Sequence, residues 1–258
     1  MRYNFSSRKP NKMIRNYQNL CRLLLWGSQC PSVGITFKRT MASSDCENFV
    51  RDGKKIIGAA VNYHDFLKKN NVPAPENPVM FLKPTSSYIV EGQDIIIPKV
   101  FTRVAHEVEL GVIINRKCKD VSKQDAMSYV GGYCLALDMT AQCELGVARP
   151  KGLPWCMGKG FDTSTPVSRF IRLREIKDPH NLRLWLKVNN ETRQDGNTSD
   201  LIFNVPELIE YTSKYMTLEP NDLILTGTPV GANPVSAGDV IECGLGDVVS
   251  MKFNVKGA

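Results

Sequence analysis

Three carboxylates set into apolar runs constrain this chain more tightly than any other feature. Glu107 and Glu109 stand in His106-Glu-Val-Glu-Leu-Gly111, and Asp138 closes the run Tyr129-Val-Gly-Gly-Tyr-Cys-Leu-Ala-Leu-Asp138. Val108, Leu110, Val112, Ile113 and Ile114 predict a buried strand over 108–114. Side chains alternate along a strand, so a Glu-x-Glu string there puts both carboxylates on one face. Burying a carboxylate alone is costly. A hard divalent cation with oxygen ligands removes that cost, and Mg²⁺ or Mn²⁺ suits the chemistry. Taken alone, the same string also reads as a solvated strand face with a capping Asp.

The rest of the chain predicts many short strands and few helices. Strands are expected at 55–60, 79–82, 95–97, 108–114, 133–137, 182–188, 222–225, 240–242 and 248–255. A helix is expected at 64–70, ended by the Pro-rich loop Val72-Pro-Ala-Pro75. A second covers 122–129, with Ser122 as N-cap and Asp125 in its first turn. A third covers 205–215, with Pro206 in its first turn. Asn189-Asn190 suits a hairpin turn. This is the pattern of a β-rich α+β domain. It holds no repeat, low-complexity tract or membrane-span candidate.

Charge separates the two ends of the chain. Residues 1–44 hold eight Lys or Arg and no Asp or Glu, whereas the remaining residues balance 25 basic against 26 acidic side chains. The formal charge of +7 therefore belongs to the N-terminal segment, and the body offers no basic face for nucleic acid. An Arg-rich segment without acids, whose one apolar patch is Leu23-Leu-Leu-Trp26, reads as a mitochondrial transit peptide. A disordered basic arm is the plainer alternative. Met41 offers an internal start that would give a cytosolic form. The division is thus 1–44 for a targeting segment or basic arm and 45–258 for one folded domain. The eight cysteines form no Cys-x-x-Cys pair, which speaks for buried thiols in a reducing compartment.

Further motifs fall into register around the carboxylates. Pro78-Val-Met-Phe-Leu-Lys-Pro84 precedes them, and Lys151-Gly-Leu-Pro-Trp155 and Lys159-Gly-Phe-Asp162 follow. Gln194-Asp-Gly-Asn-Thr198, Leu223-Ile-Leu-Thr-Gly-Thr-Pro229 with Gly231, and Gly238-Asp-Val-Ile-Glu242 complete the series. In this order and spacing the chain resembles the fumarylacetoacetate hydrolase family from about residue 55 to residue 253. The resemblance implies the family's C-terminal-type β-roll fold, a homodimer, and a small 2-oxo acid as substrate. It implies acylpyruvate hydrolysis, with oxaloacetate decarboxylation or keto-enol tautomerisation alongside. The family's metal ligands fall on Glu107, Glu109 and Asp138, for Mg²⁺ or Mn²⁺ acting as a Lewis acid on an enolate. Its active-site lysine falls on Lys159, which would stabilise that enolate and deliver a proton. Lys83 matches a position near the site, where it would meet substrate or simply pair with a carboxylate. Gly227 and Thr228 match the substrate-side turn, where Gly227 permits close backbone approach and Thr228 can donate to a substrate carboxylate.

The chain also departs from the family pattern. Relatives carry Gly-Arg-Asn-Tyr-x-x-His-x-x-Glu, whose His and Glu activate water. Here Asn62 and Tyr63 match, but Phe66 and Lys69 fill the dyad positions. His64 lies about 200° around a helix from residue 66, which reads as a surface histidine. Where relatives have Arg in Asp-Met-Thr-Ala-Arg-Asp, this chain has Gln142. Two outcomes compete: an enzyme with a weakened hydrolase step, or an impaired homologue that binds metal and a 2-oxo acid without turnover.

Overall fold

The computed structural model describes residues 43–258. The segment 1–42, which includes Met41 and nearly all of the expected targeting region, lies outside those residues.

A six-stranded sheet carries the centre of the domain. Its strand order is Ile171–Arg172, Val130–Leu137, Val108–Ile114, Leu223–Leu225, Ile56–Ala60 and Val79–Lys83. Val108–Ile114 and Val130–Leu137 are buried along their whole lengths. That explains their unbroken apolar runs: strands covered on both faces have no polar side to show. The second sheet has five strands, in the order Glu191–Asn197, Arg183–Val188, Val240–Leu245, Val249–Gly257 and Ile95–Ile97. Pro234–Val235, Val104–Ala105 and Thr140–Ala141 form a small third sheet.

The expected helices form. His64–Asn70 and Val205–Tyr215 have the expected bounds. The expected 122–129 helix is a single α-turn, Lys123–Ala126, continued by the 3₁₀ turn Met127–Tyr129. Ser122 caps it by accepting from the Asp125 amide. Val205–Tyr215 starts on a capping box in which Asn204 and Glu207 each accept the other's backbone N–H. It buries Val205, Leu208, Ile209 and Thr212, the one-sided stripe of a helix packed on a core. Asn189 and Asn190 have positive φ (51° and 66°), the hairpin turn expected of that dipeptide.

Two features correct the sequence reading. Glu107 is not inside a strand: the chain leaves the strand Val104–Ala105 at His106 and re-enters at Val108. Two helices also went unread, Gln142–Ala148 and Cys156–Lys159, and both flank the site.

Candidate active site

The carboxylates converge because of register. Val108 pairs with Leu137 and Glu109 with Ala136. The next step of that ladder sets Glu107 opposite Asp138, and the Asp138 amide donates to the Glu107 carbonyl at 2.8 Å. Glu109 lies two residues further along the chain, inside the strand Val108–Ile114. One oxygen from each of the three lies within 4.8 Å of the others.

Two lysines hold this acidic cluster. Lys83, fully buried at the end of Val79–Lys83, donates to Asp138 Oδ1 at 2.6 Å and to the Ser164 carbonyl at 2.9 Å. Lys159, the last residue of Cys156–Lys159, donates to Glu107 Oε2 at 2.8 Å, to Thr140 Oγ1 at 2.7 Å and to Asp138 Oδ2. Its ammonium also sits 4.5 Å from the centre of the Phe81 ring. Burial opposes the ionisation of Asp138, but Lys159 and Lys83 outweigh it and hold its carboxyl below the usual range. Burial likewise opposes the charge on Lys159, and Asp138 and Glu107 outweigh it, so its ammonium is held above the ordinary value. Burial pushes Glu107 upward against the pull of Lys159. Burial pushes Glu109 further, and the Asp138 and Glu107 charges add to the push. Three carboxylates against two ammoniums leave one negative charge in excess when all are ionised. Oxygen donors with a charge deficit fit a hard divalent cation.

The 226–228 turn braces the site, and its Thr228 also lines the cavity. Gly227 (φ 100°) donates its N–H to Glu109 Oε2 at 2.6 Å, a geometry that a side chain would strain. Thr228 Oγ1 donates to the Val108 carbonyl at 2.8 Å and accepts from Gln194 Nε2 at 2.8 Å. The Thr228 hydroxyl, expected to meet substrate, lines the cavity and here donates to the strand. Gln194 is buried, and its Oε1 accepts from the Val108 amide at 3.1 Å and faces His106 Nδ1 at 2.9 Å. Its Nε2 meets the Pro229 carbonyl, an acceptor, which fixes the amide orientation and makes His106 Nδ1 the donor. Burial lowers the His106 pKa to about 4 and keeps the ring neutral. This brace spans the break before Val108, and neither His106-Glu-Val-Glu-Leu-Gly111 nor Gln194-Asp-Gly-Asn-Thr198 carries a local signal that its residues meet. Asn62 is a second brace, donating to the Thr226 and Phe203 carbonyls.

A cavity of about 420 Å³ opens above the cluster, lined by Glu107, Glu109, Thr140, Lys159 and Thr228. Lys83 and Asp138 stand behind that lining. At the mouth are Phe66 and Lys69, so the dyad positions do face the cavity and hold no base. His64 is exposed on a different surface, beside Lys68 and Val72. Val61 also lines the cavity, with φ 56°, a left-handed conformation that is strained for a β-branched residue. Gln142 lines the cavity as well and accepts from Arg103 Nη2 at 3.1 Å.

Comparison with known proteins agrees with this geometry. Residues 55–256 match the family described as fumarylacetoacetate (FAA) hydrolase C-terminal. The Bos taurus protein named oxaloacetate tautomerase FAHD1, mitochondrial, is 47% identical over 215 residues, 83% of this chain and 97% of the relative. The Dictyostelium discoideum oxaloacetate decarboxylase, mitochondrial, is 46% identical over 209 residues, 80% of this chain and 96% of the relative. The crystal structure of fumarylpyruvate hydrolase from Pseudomonas aeruginosa, in complex with Mn²⁺ and pyruvate, is similar with a TM-score of 0.75 at 27% identity. That match covers 80% of this chain and 90% of the other.

Proposed function

The chain belongs to the fumarylacetoacetate hydrolase family, and we propose that it is a metal-dependent enzyme acting on oxaloacetate through its enolate, without an efficient carbon–carbon hydrolase step. The observation that carries this reading is the contrast inside one cavity. Glu107, Glu109 and Asp138 converge with Lys159 at its floor, while Phe66 and Lys69 fill the water-activating positions at its mouth.

When bound, Mg²⁺ or Mn²⁺ would supply Lewis-acid stabilisation of negative charge on a 2-oxo acid. Glu107, Glu109 and Asp138 would hold it. The chain's own contribution is electrostatic. Lys159 stays an ammonium because Asp138 and Glu107 hold its proton, so it favours a developing enolate beside it. Lys83 keeps Asp138 ionised from behind. Decarboxylation breaks the C3–C4 bond, releases CO₂, and leaves pyruvate enolate to take a proton at C3. Tautomerisation moves a proton between the enol oxygen and C3. Neither consumes water. Acylpyruvate hydrolysis does, and a positioned base is typically worth about 10²–10⁴ in rate. The relatives' names support the oxaloacetate activities and a mitochondrial destination, and lend nothing to a cytosolic form from Met41. A homodimer is part of this reading, checked by the sedimentation mass.

The test measures enol-to-keto conversion of oxaloacetate, and pyruvate release from oxaloacetate and from acetylpyruvate, each with Mg²⁺ and with chelator. Chelator-sensitive action on oxaloacetate alone is the expected result. Full acylpyruvate hydrolysis sinks the proposed split. Silence in all three assays favours the second reading, a metal-binding homologue without turnover, which the Phe66, Lys69 and Gln142 replacements support.

A further inference from the structure

The cationic position vacated at residue 142 has a replacement across the strand ladder. Val104 pairs with Ala141 and Ala105 with Thr140 in the small third sheet. The next step of that antiparallel register sets Arg103 opposite Gln142. The two side chains meet there: Arg103 Nη2 donates to Gln142 Oε1 at 3.1 Å, and both residues line the cavity. Two arginines directly opposite would repel. In this chain the one charge of the pair sits on Arg103.

We propose that Arg103, oriented by Gln142, binds the distal carboxylate of a dicarboxylic 2-oxo acid. The inference rests on the oxaloacetate reading of the site and adds the residue that selects a second carboxylate. Three observations carry it. Among the described residues no carboxylate pairs with Arg103, so its charge is available to a ligand. Gln142 occupies one N–H and leaves the remaining donors of the planar fork for a carboxylate. The other cations at the mouth are less suited. Arg149 lies 4.9 Å over the Trp155 ring, and Lys69 is a flexible point charge without the fork. The loop is also tied down, because Cys143 Sγ contacts the Arg103 carbonyl at 3.7 Å. Gln142 is a positioning residue in this scheme, and Arg103 touches the ligand.

The test is equilibrium binding by calorimetry on the whole protein with Mg²⁺, using two unreactive ligands. Malate carries a distal carboxylate; oxalate offers only the metal-side oxygens. Arg103→Gln is expected to weaken malate by about ten- to hundredfold, the range for a charged hydrogen bond, and to leave oxalate within about twofold. The transposed double variant, Arg103→Gln with Gln142→Arg, is expected to recover most of the malate affinity. A parent protein that does not bind malate overturns the inference. So does an unchanged malate affinity, an equal loss of oxalate, or a double variant no better than the single one. Oxaloacetate turnover by the parent is scored separately. Binding that depends on Arg103 without turnover retires the enzymatic reading and leaves Arg103 in place.

Discussion

The floor of the cavity and its mouth obey different rules. At the floor, Lys83, Asp138 and Lys159 are almost completely withdrawn from water, and each charge has an opposite partner. Buried charges must be balanced: losing Asp138 strands Lys83, and losing either lysine leaves the carboxylates short of counter-charge. At the mouth, Lys69 and Arg103 are exposed and Phe66 and Gln142 are partly exposed. In the ligand-free protein solvent screens the charges there, so replacing Lys69, Arg103 or Gln142 costs the fold little. On the proposed reading this boundary also divides the chemistry. The groups that would stabilise an enolate lie in the part that resists change, and the positions expected to activate water, Phe66 and Lys69 here, lie in the part that tolerates it.

The largest effect that could break this comparison comes from Asp138→Ala. It leaves two buried ammoniums without their shared counter-charge, a class of change that costs about 3–5 kcal/mol. Denaturant unfolding should show that loss, and oxaloacetate turnover should disappear with it. A variant with the parent's unfolding midpoint would mean that the floor is no more constrained than the mouth. The complementary change restores the mouth. Phe66→His with Lys69→Glu should raise acylpyruvate hydrolysis by about 10²–10⁴, at a stability cost well below that of Asp138→Ala, because Phe66 is only half-buried against the core and Lys69 is exposed. Hydrolysis that stays absent would place the defect elsewhere in the cavity.

The floor was legible in the sequence and the mouth only partly so, for physical reasons. Glu107, Glu109 and Asp138 stand out because carboxylates inside apolar runs demand an explanation. Val108–Ile114, Val205–Tyr215 and the Asn189-Asn190 turn were readable because periodicity or turn chemistry fixes them locally. Glu191–Asn197 is a strand of mostly polar residues, held by its ladder with Arg183–Val188; no apolar alternation announces it. The Gln194–His106 brace depends on that strand and was hidden with it. Arg103 was hidden too, because its meaning comes from Gln142, 39 positions away and adjacent only through register. Lys83 was left open between substrate and structure, and its place behind Asp138 favours pairing.

A smaller effect sharpens the charge argument at the floor. Glu107 and Glu109 are pushed above their ordinary value of 4.5. The metal-free folded protein therefore binds more protons there than the unfolded chain, and stability falls as pH rises through those raised values. Asp138 has the opposite sign. Its contribution is present above 3.8 and is lost as pH falls through its lowered folded value. As pH rises through the raised Glu107 and Glu109 values, metal-free protein should therefore lose stability at this cluster, against the gain that neutral His106 brings between about 4 and 6.5. Mg²⁺ should reverse the loss on the alkaline side, by about 2.7 kcal/mol at a hundred times its dissociation constant. Parallel curves of melting temperature against pH, with and without Mg²⁺, would remove Glu107 and Glu109 from the metal site.

The smallest effect tests whether the mouth carries strain as well as freedom. Val61 holds a left-handed φ of 56° on the cavity wall, next to Asn62, whose side chain ties the first motif to Thr226 and Phe203. A β-branched residue in that conformation costs on the order of 1–3 kcal/mol, whereas asparagine adopts it more readily. Val61→Asn should therefore stabilise the protein by about 1 kcal/mol, read as a higher unfolding midpoint at unchanged denaturant slope. The Mg²⁺-dependent rise in melting temperature should stay the same, because Val61 carries no charge or metal-ligating group. A destabilised variant would mean that valine's packing on the cavity wall offsets its backbone cost. The mouth would then be constrained by shape, and its tolerance of Phe66 and Lys69 would not extend to its whole rim.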